Sequence, residues 1–132
     1  MIGWMLRLRR KTKRGRNNMT PIERNELFEN LHQQEVKLLL SKGADYAGDE
    51  DALSNFKINA ERLGLTKYQV WSVYFMKHID SILNAIKNNP SVPERKTESV
   101  LLSTLDGRNY LGLLACMITE DVRYKGEPVD AQ

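Results

Sequence analysis

The chain has 132 residues, which is enough for one ordinary domain and too short for two. Hydrophobic residues make up 41% of the chain and charged residues 28%, a balance typical of folded globular proteins and not of disordered ones. One cysteine excludes a disulfide-stapled scaffold, and with only two histidines a divalent metal would bind mainly carboxylate oxygens, which favours Mg²⁺ or Mn²⁺ over Zn²⁺.

The net charge of +3 comes from the beginning of the chain. Residues 1–18 contain seven basic and no acidic residues, whereas the rest of the chain contains thirteen basic and seventeen acidic ones. Residues 7–16 could therefore form a nucleic-acid-binding arm, since clustered cations bind phosphates. Alternatively, residues 1–19 are a disordered tail, or a translated leader if Met19 is the natural start. The segment does not have the pattern of a secretory signal.

The first two predicted helices have recognisable ends. Thr20 is the expected N-cap of the first helix, followed by Pro21 at the first helical position and by Glu23, which completes a capping box. We expect this helix to end at Lys42-Gly43. Asp49 is the expected cap of a short second helix, with Leu53, Phe56 and Ile58 facing inward, and Gly64 ends it.

Two longer helices follow. Thr66 is the expected cap of the third helix, whose apolar stripe comprises Phe75, Met76, Ile79, Ile82, Leu83 and Ile86. Thr97 is the expected cap of the last helix, which runs to about Val122 and is apolar on nearly every side, as expected of a central helix.

The pattern predicts an all-α fold, a four-helix bundle formed by one domain over residues 20–122, with a loose tail at 123–132. Because four short helices enclose a small core, we expect a homo-oligomer that buries the remaining apolar surface. No apolar run approaches the length of about 20 residues that a membrane span needs, so we expect no membrane partner. A single cysteine favours a reducing compartment, so we expect a cytoplasmic protein.

Polar residues interrupt the apolar helices at three places. In the last helix Glu98, Asp106 and Asn109 lie on one stripe, and a buried carboxylate such as that of Asp106 needs a partner. Lys77, Asp80 and Asn84 lie together on the third helix, while His78 points about 100° away from Lys77. The third interruption is the acidic loop Lys42–Asp51, which contains Asp45 and Asp49.

Helix packing could bring these groups into one pocket suited to a Mg²⁺-bound phosphate ester. Its carboxylates would hold the ion, and its lysines would contact the phosphates. The pocket would comprise the carboxylates of Asp45, Asp49, Glu98 and Asp106, the cations of Lys42 and Lys77, and the amides of Asn55 and Asn109.

Each of these features has a simpler structural interpretation. Asp106 could form an ion pair with Lys77 or Arg108, and the acidic loop could be only a helix cap. Lys77 and Asp80 could form a solvated helix face. Tyrosines such as Tyr46 and Tyr110 could line a base pocket or simply pack in the core.

The order of the motifs resembles MazG-like domains, a group of small phage and bacterial proteins that includes nucleotide-modification-associated proteins. The resemblance covers about residues 31–120. It is carried by Lys42-x-x-Asp45-Tyr46-x-Gly48-Asp49, Asn55-Phe56, Lys77-His78-x-Asp80, Glu98-Ser99 and Asp106-x-x-Asn109-Tyr110.

This resemblance implies an all-α nucleoside triphosphate pyrophosphohydrolase, usually a dimer or tetramer, that uses Mg²⁺ (or Mn²⁺) to split a nucleotide between its α and β phosphates. The catalytic residues implied are Asp106, Glu98 and Lys77. The metal ligands implied are Glu98, Asp106 and Asp49. The residues expected to bind the substrate are Lys42, Asp45, Tyr46, Asn55, Asp80, Asn109 and Tyr110.

Two features of the sequence favour a second function, namely a non-catalytic protein that binds or sequesters a nucleotide. MazG-like enzymes usually carry a Glu-x-x-Glu cluster on an earlier helix, but here the first helix offers Glu26-x-x-Glu29 only near its start. In addition, Ser103 stands three residues before Asp106, where the family carries an acid. A third function is nucleic-acid binding through residues 7–16. If the chain is phage-encoded, the expected location is the host cytoplasm.

Overall fold

A computed structural model describes the backbone of residues 18–46, 51–94 and 99–124, and the side chains of 18–41, 51–94 and 99–123. These residues form four helices: α1 (Pro21–Tyr46), α2 (Ser54–Leu63), α3 (Lys67–Asn88) and α4 (Val100–Tyr124). No strand occurs in this part of the chain, so the predicted all-α class is confirmed. The four-helix bundle arrangement and the oligomer remain predictions.

The chain divides into two compact units, Met1–Leu38 and Leu39–Gln132. The first unit contains the start of α1, where the predicted capping box is confirmed. The backbone N–H of Glu23 donates to Thr20 Oγ1 at 3.2 Å, and that of Thr20 donates to the Glu23 carboxylate at 2.9 Å. The single domain predicted for residues 20–122 remains a prediction.

The second unit contains the end of α1 together with α2, α3 and α4. The predicted end of α1 at Lys42-Gly43 was wrong, because the helix continues through Gly43 to Tyr46. A helical glycine costs only about 1 kcal/mol relative to alanine, so it does not by itself end a helix.

Helix α2 begins later than the sequence predicted. It starts at Ser54, so Asp49 is not its N-cap. The N-cap is Leu53, which provides no side-chain cap, and in the turn before the helix the Asp51 carboxylate accepts a hydrogen bond from the backbone N–H of Leu53 at 2.9 Å. Gly64 ends the helix as predicted, with a φ of 67° in the left-handed region, where glycine carries no Cβ penalty.

Helix α3 begins at the predicted cap, but its apolar stripe is only partly buried. Thr66 and Gln69 form a reciprocal capping box. Val70 and Ala85 face the core, whereas Met76 and Leu83 are exposed, against expectation. Apolar residues occupy more than one side of this helix, so the sequence period alone does not specify the buried side.

Helix α4 begins at Val100, so its N-cap is Ser99 and not the predicted Thr97. The Ser99 hydroxyl accepts a hydrogen bond from the backbone N–H of Leu101 at 3.2 Å. The helix continues to Tyr124, two residues beyond the predicted end. Cys116, the single cysteine of the chain, is exposed.

The core of the second unit lies where α2, α3 and α4 meet. Its buried side chains come from all three helices and from the turn before α2, with half-buried aromatic and leucine side chains packed around them. The buried side chains are Leu53, Phe56, Ala60, Val70 and Met117. Helix α3 packs against both α2 and α4. These two helices leave the opposite side of α3 uncovered.

Candidate functional site

The centre of α4 carries polar side chains inside an apolar helix. Ser103 and Asn109 are buried, and Asp106 between them is four-fifths buried. Because a polar group removed from water costs free energy unless it finds a partner, each of these residues needs a specific environment.

Asp106 faces α3 and lies close to His78. The distance from His78 Nδ1 to Asp106 Oδ2 is 3.6 Å, which is too long for a hydrogen bond. The sequence analysis had considered Lys77 and Arg108 as structural partners of Asp106. The histidine was overlooked although its helical position, about 100° from Lys77, turns it towards the core.

Aromatic rings border this pair on one side. The Tyr110 ring lies 5.0 Å from the His78 ring and 6.3 Å from the Phe56 ring, measured between centroids. Trp71 Nε1 donates a hydrogen bond to the Tyr110 carbonyl at 2.6 Å, which fixes α4 against α3 at this level. The Phe56 ring also contacts Tyr74 at 6.2 Å. Tilted and edge-on rings at these distances form an apolar border.

Asn55 lies beside the same aromatic group, on α2. Asn59 Nδ2 donates to Asn55 Oδ1 at 3.1 Å and to the Tyr74 hydroxyl at 3.3 Å. Through Tyr74 and Phe56, this short polar chain connects to Tyr110. The structure therefore brings the predicted site residues Asp106 and Tyr110 together at His78, whereas Asn55 is connected to the aromatic cluster only through Asn59.

Asn109 is the most unusual polar residue in the described part of the chain. It is only 7% exposed, and its amide oxygen is buried without a hydrogen-bond donor among the described residues. Leaving a buried acceptor unsatisfied costs about 1–3 kcal/mol. Such an atom in a folded protein calls for an explanation, for example a functional role or a bound ion or water.

Lys77 and Asp80 lie on a different side of α3 and do not join this group. Both are exposed, and they line an open groove whose described lining residues all belong to α3, including Val73, Met76 and Asn84. On a helical wheel Asp80 lies about 200° from His78, which faces α4. The single pocket expected from the sequence thus contains neither Lys77 nor Asp80.

Five predicted site residues cannot be placed. The side chains of Lys42, Asp45 and Tyr46 lie outside the described residues, as do Asp49 and Glu98 entirely. Two of the three predicted metal ligands belong to this set, and Asp106 is the third.

Mg²⁺ is compatible with the donors that are described. Among the described residues no three His, Cys, Asp or Glu side chains are close enough to hold a metal ion. Mg²⁺, however, is usually bound through one or two carboxylates together with the phosphates of a substrate. The Asp106 carboxylate and the unsatisfied Asn109 oxygen, one helical turn apart, are of the oxygen type that this ion prefers.

A second polar network, which the sequence analysis did not foresee, joins the ends of three helices. Lys57 contacts Asp51 at 2.8 Å and Glu120 at 2.9 Å, and Lys67 contacts Asp121 at 2.6 Å. The hydrogen bond from Lys57 is the main cause that lowers the pKa of Asp51, and the same bond raises the pKa of Lys57. The charged side chains of this network are paired with one another, which indicates a structural role.

No protein-family model, no curated protein and no solved structure matches this chain. None of the helices in the described part is long and apolar enough to cross a membrane.

Proposed function

We propose that this chain is a Mg²⁺-dependent nucleoside triphosphate pyrophosphohydrolase whose site is built on the middle of α4. The observation that carries the proposal is the buried, unsatisfied oxygen of Asn109 one turn from the Asp106–His78 pair. A structural contact with His78 alone would account for Asp106 and leave Asn109 unexplained.

Each described residue has a part in this proposal. Asp106 and Asn109 would hold Mg²⁺ together with the triphosphate, and the ion would supply positive charge to neutralise the phosphates. The Tyr110 and His78 rings, whose planes are inclined by 38°, offer aromatic faces to the base, since aromatic side chains stack on nucleobases. Asn55 supplies polar contacts at the edge of the aromatic cluster.

The reaction is a hydrolysis. The oxygen of a water molecule bonds to the α-phosphorus, and the bond from that phosphorus to the bridging oxygen breaks. The products are the nucleoside monophosphate and pyrophosphate, and the proton of the water passes to solvent. The expected partner is thus a free nucleotide.

The test incubates the full chain with a panel of nucleoside and deoxynucleoside triphosphates and Mg²⁺ or Mn²⁺, and measures pyrophosphate and monophosphate. We expect turnover of at least one nucleotide, lost in Asp106→Asn and kept in Glu61→Gln, a control on an exposed acid of α2. Circular dichroism checks that Asp106→Asn remains folded, because unfolding would identify Asp106 as a structural partner.

A second variant separates function from folding at Asn109. Asn109→Leu removes the unsatisfied oxygen without leaving a cavity, so we expect weaker nucleotide binding with no loss of thermal stability. Equal nucleotide affinity in this variant and the natural chain, both folded, would contradict the proposed site.

The second candidate is a non-catalytic protein that binds or sequesters a nucleotide at the same site. It is favoured by the lack of a three-ligand metal group among the described side chains. In the same experiment it predicts that the nucleotide binds and is recovered intact. Binding of nucleic acid through residues 7–16, which lie outside the described part, remains the third candidate and predicts salt-dependent binding that disappears when the chain starts at Met19.

A further inference from the structure

A short chain of hydrogen bonds joins α2 to α3 beside the aromatic rings. Its centre is the amide of Asn59, whose Nδ2 donates to Asn55 Oδ1 at 3.1 Å and to the Tyr74 hydroxyl oxygen at 3.3 Å. An amide nitrogen carries two protons, so these bonds use both of them. The directions of the two bonds determine which hydrogen-bonding groups Asn55 and Tyr74 can still offer to a ligand.

Both acceptors in this chain of bonds keep protons of their own. The amide protons of Asn55 and the hydroxyl proton of Tyr74 form no hydrogen bond with any described residue. Because both residues accept from the same nitrogen of Asn59, their remaining protons are directed away from it. Asn55 and Tyr74 are half-buried, so a ligand can reach these protons. The pair therefore offers hydrogen-bond donors close together at one place.

These donors lie next to the rings that we propose for stacking on the base. Tyr74 and His78 are one helical turn apart on α3, so their side chains are neighbours. The Tyr74 ring packs on Phe56 at 6.2 Å, and the Phe56 ring packs on Tyr110 at 6.3 Å. A base stacked on the Tyr110 and His78 rings would thus have one edge near the Tyr74 hydroxyl.

We propose that Asn55 and Tyr74 select nucleotides whose base has a carbonyl oxygen at this edge, namely uracil, thymine or guanine. This inference rests on the proposed function and adds the class of base. Thymine O4 and guanine O6 accept hydrogen bonds, whereas the amino groups of cytosine and adenine donate them. An amino group placed against these donors would leave donors facing each other unpaired, which disfavours cytosine and adenine.

The test measures binding of the full chain to the α,β-imido analogues of dUTP, dCTP, dGTP and dATP with Mg²⁺, by calorimetry. The imido bridge replaces the oxygen at which the proposed reaction splits the nucleotide. We expect the dUTP analogue to bind at least roughly tenfold more tightly than the dCTP analogue, and the dGTP analogue likewise relative to the dATP analogue. Equal affinities within each pair would overturn this inference alone. Binding of no analogue by the folded chain would overturn the proposed function as well.

Two variants test whether these side chains cause the preference. Asn55→Asp replaces the free donors with an acceptor of the same shape, so the affinity ratio within each pair should reverse. Tyr74→Phe removes only the hydroxyl and should reduce the ratio. Asn84→Asp adds the same charge at an exposed position of α3 and should leave the ratio unchanged. A ratio that neither Asn55→Asp nor Tyr74→Phe alters would overturn the assignment.

Discussion

The hydroxyl of Tyr68 lies where the start of α3 meets the end of α4. It donates a hydrogen bond to Asp121 Oδ2 at 2.5 Å, and Lys67 contacts the other oxygen of the same carboxylate. Burial, followed by this hydrogen bond to an anion, raises the pKa of Tyr68 to about 12 from its ordinary value of 10.0. Both effects disfavour the tyrosinate form in the folded state.

This shift predicts that the folded chain loses stability in alkali. In the unfolded chain Tyr68 loses its proton near pH 10, whereas in the folded chain it keeps the proton to about pH 12. The folded state therefore binds more protons within this window, and the free energy of unfolding falls as pH rises through it. Urea unfolding at several pH values measures the slope.

Tyr68→Phe is the control for that slope. Because phenylalanine does not ionise, the variant should lose less free energy of unfolding between pH 10 and pH 12 than the natural chain does. Identical slopes in the two proteins would show that other groups cause the alkaline destabilisation.

At the scale of a helix, the first turn of α3 satisfies its own backbone donors. The backbone N–H of Gln69 donates to Thr66 Oγ1 at 3.1 Å, and the backbone N–H of Thr66 donates to the Gln69 side chain at 2.9 Å. These bonds connect residues three apart in the chain. The residues that make them can therefore be identified from the local sequence alone.

Thr66→Ala removes the acceptor at the start of α3. We expect the free energy of unfolding to fall by about 1 kcal/mol, measured by chemical denaturation. Ser72→Ala, within the same helix, is the control, since the Ser72 hydroxyl only donates to the Gln69 carbonyl and caps no free N–H group. An equal loss in both variants would argue against a capping role for Thr66.

At the scale of the whole molecule, the contact of α2, α3 and α4 decides which side of each helix is buried. Met117 and Ile118 are neighbours on α4, yet Met117 is 0% exposed and Ile118 is 48% exposed. Both are large and apolar. Only the position of the neighbouring helices distinguishes them.

Met117→Ala should therefore destabilise the chain far more than Ile118→Ala. Truncating a fully buried methionine leaves a cavity and costs about 2–5 kcal/mol of unfolding free energy. The same truncation at a half-exposed position should cost much less. Thermal or urea unfolding of the two variants makes the comparison, and similar losses would show that α4 packs through another side.

In the candidate site, too, the spacing of residues along one helix follows from the sequence, whereas contacts between helices depend on how the helices pack. The spacing of Asp106, Asn109 and Tyr110 places them within one turn of α4, and this follows from the sequence because the helical repeat is fixed. The partner of Asp106 does not follow from it. His78 comes from another helix, and Lys77 next to it in the chain points to a different side.

The sequence by itself determined the all-α class, the starts of α1 and α3 and the end of α2, because capping residues such as Thr20, Gly64 and Thr66 act on backbone groups within a few residues. Only the tertiary structure decided that Met117 is buried, that Met76 is exposed and that Asp106 meets His78. Helices with apolar residues on several sides can pack through any of them, and the choice depends on the surface that each neighbouring helix presents.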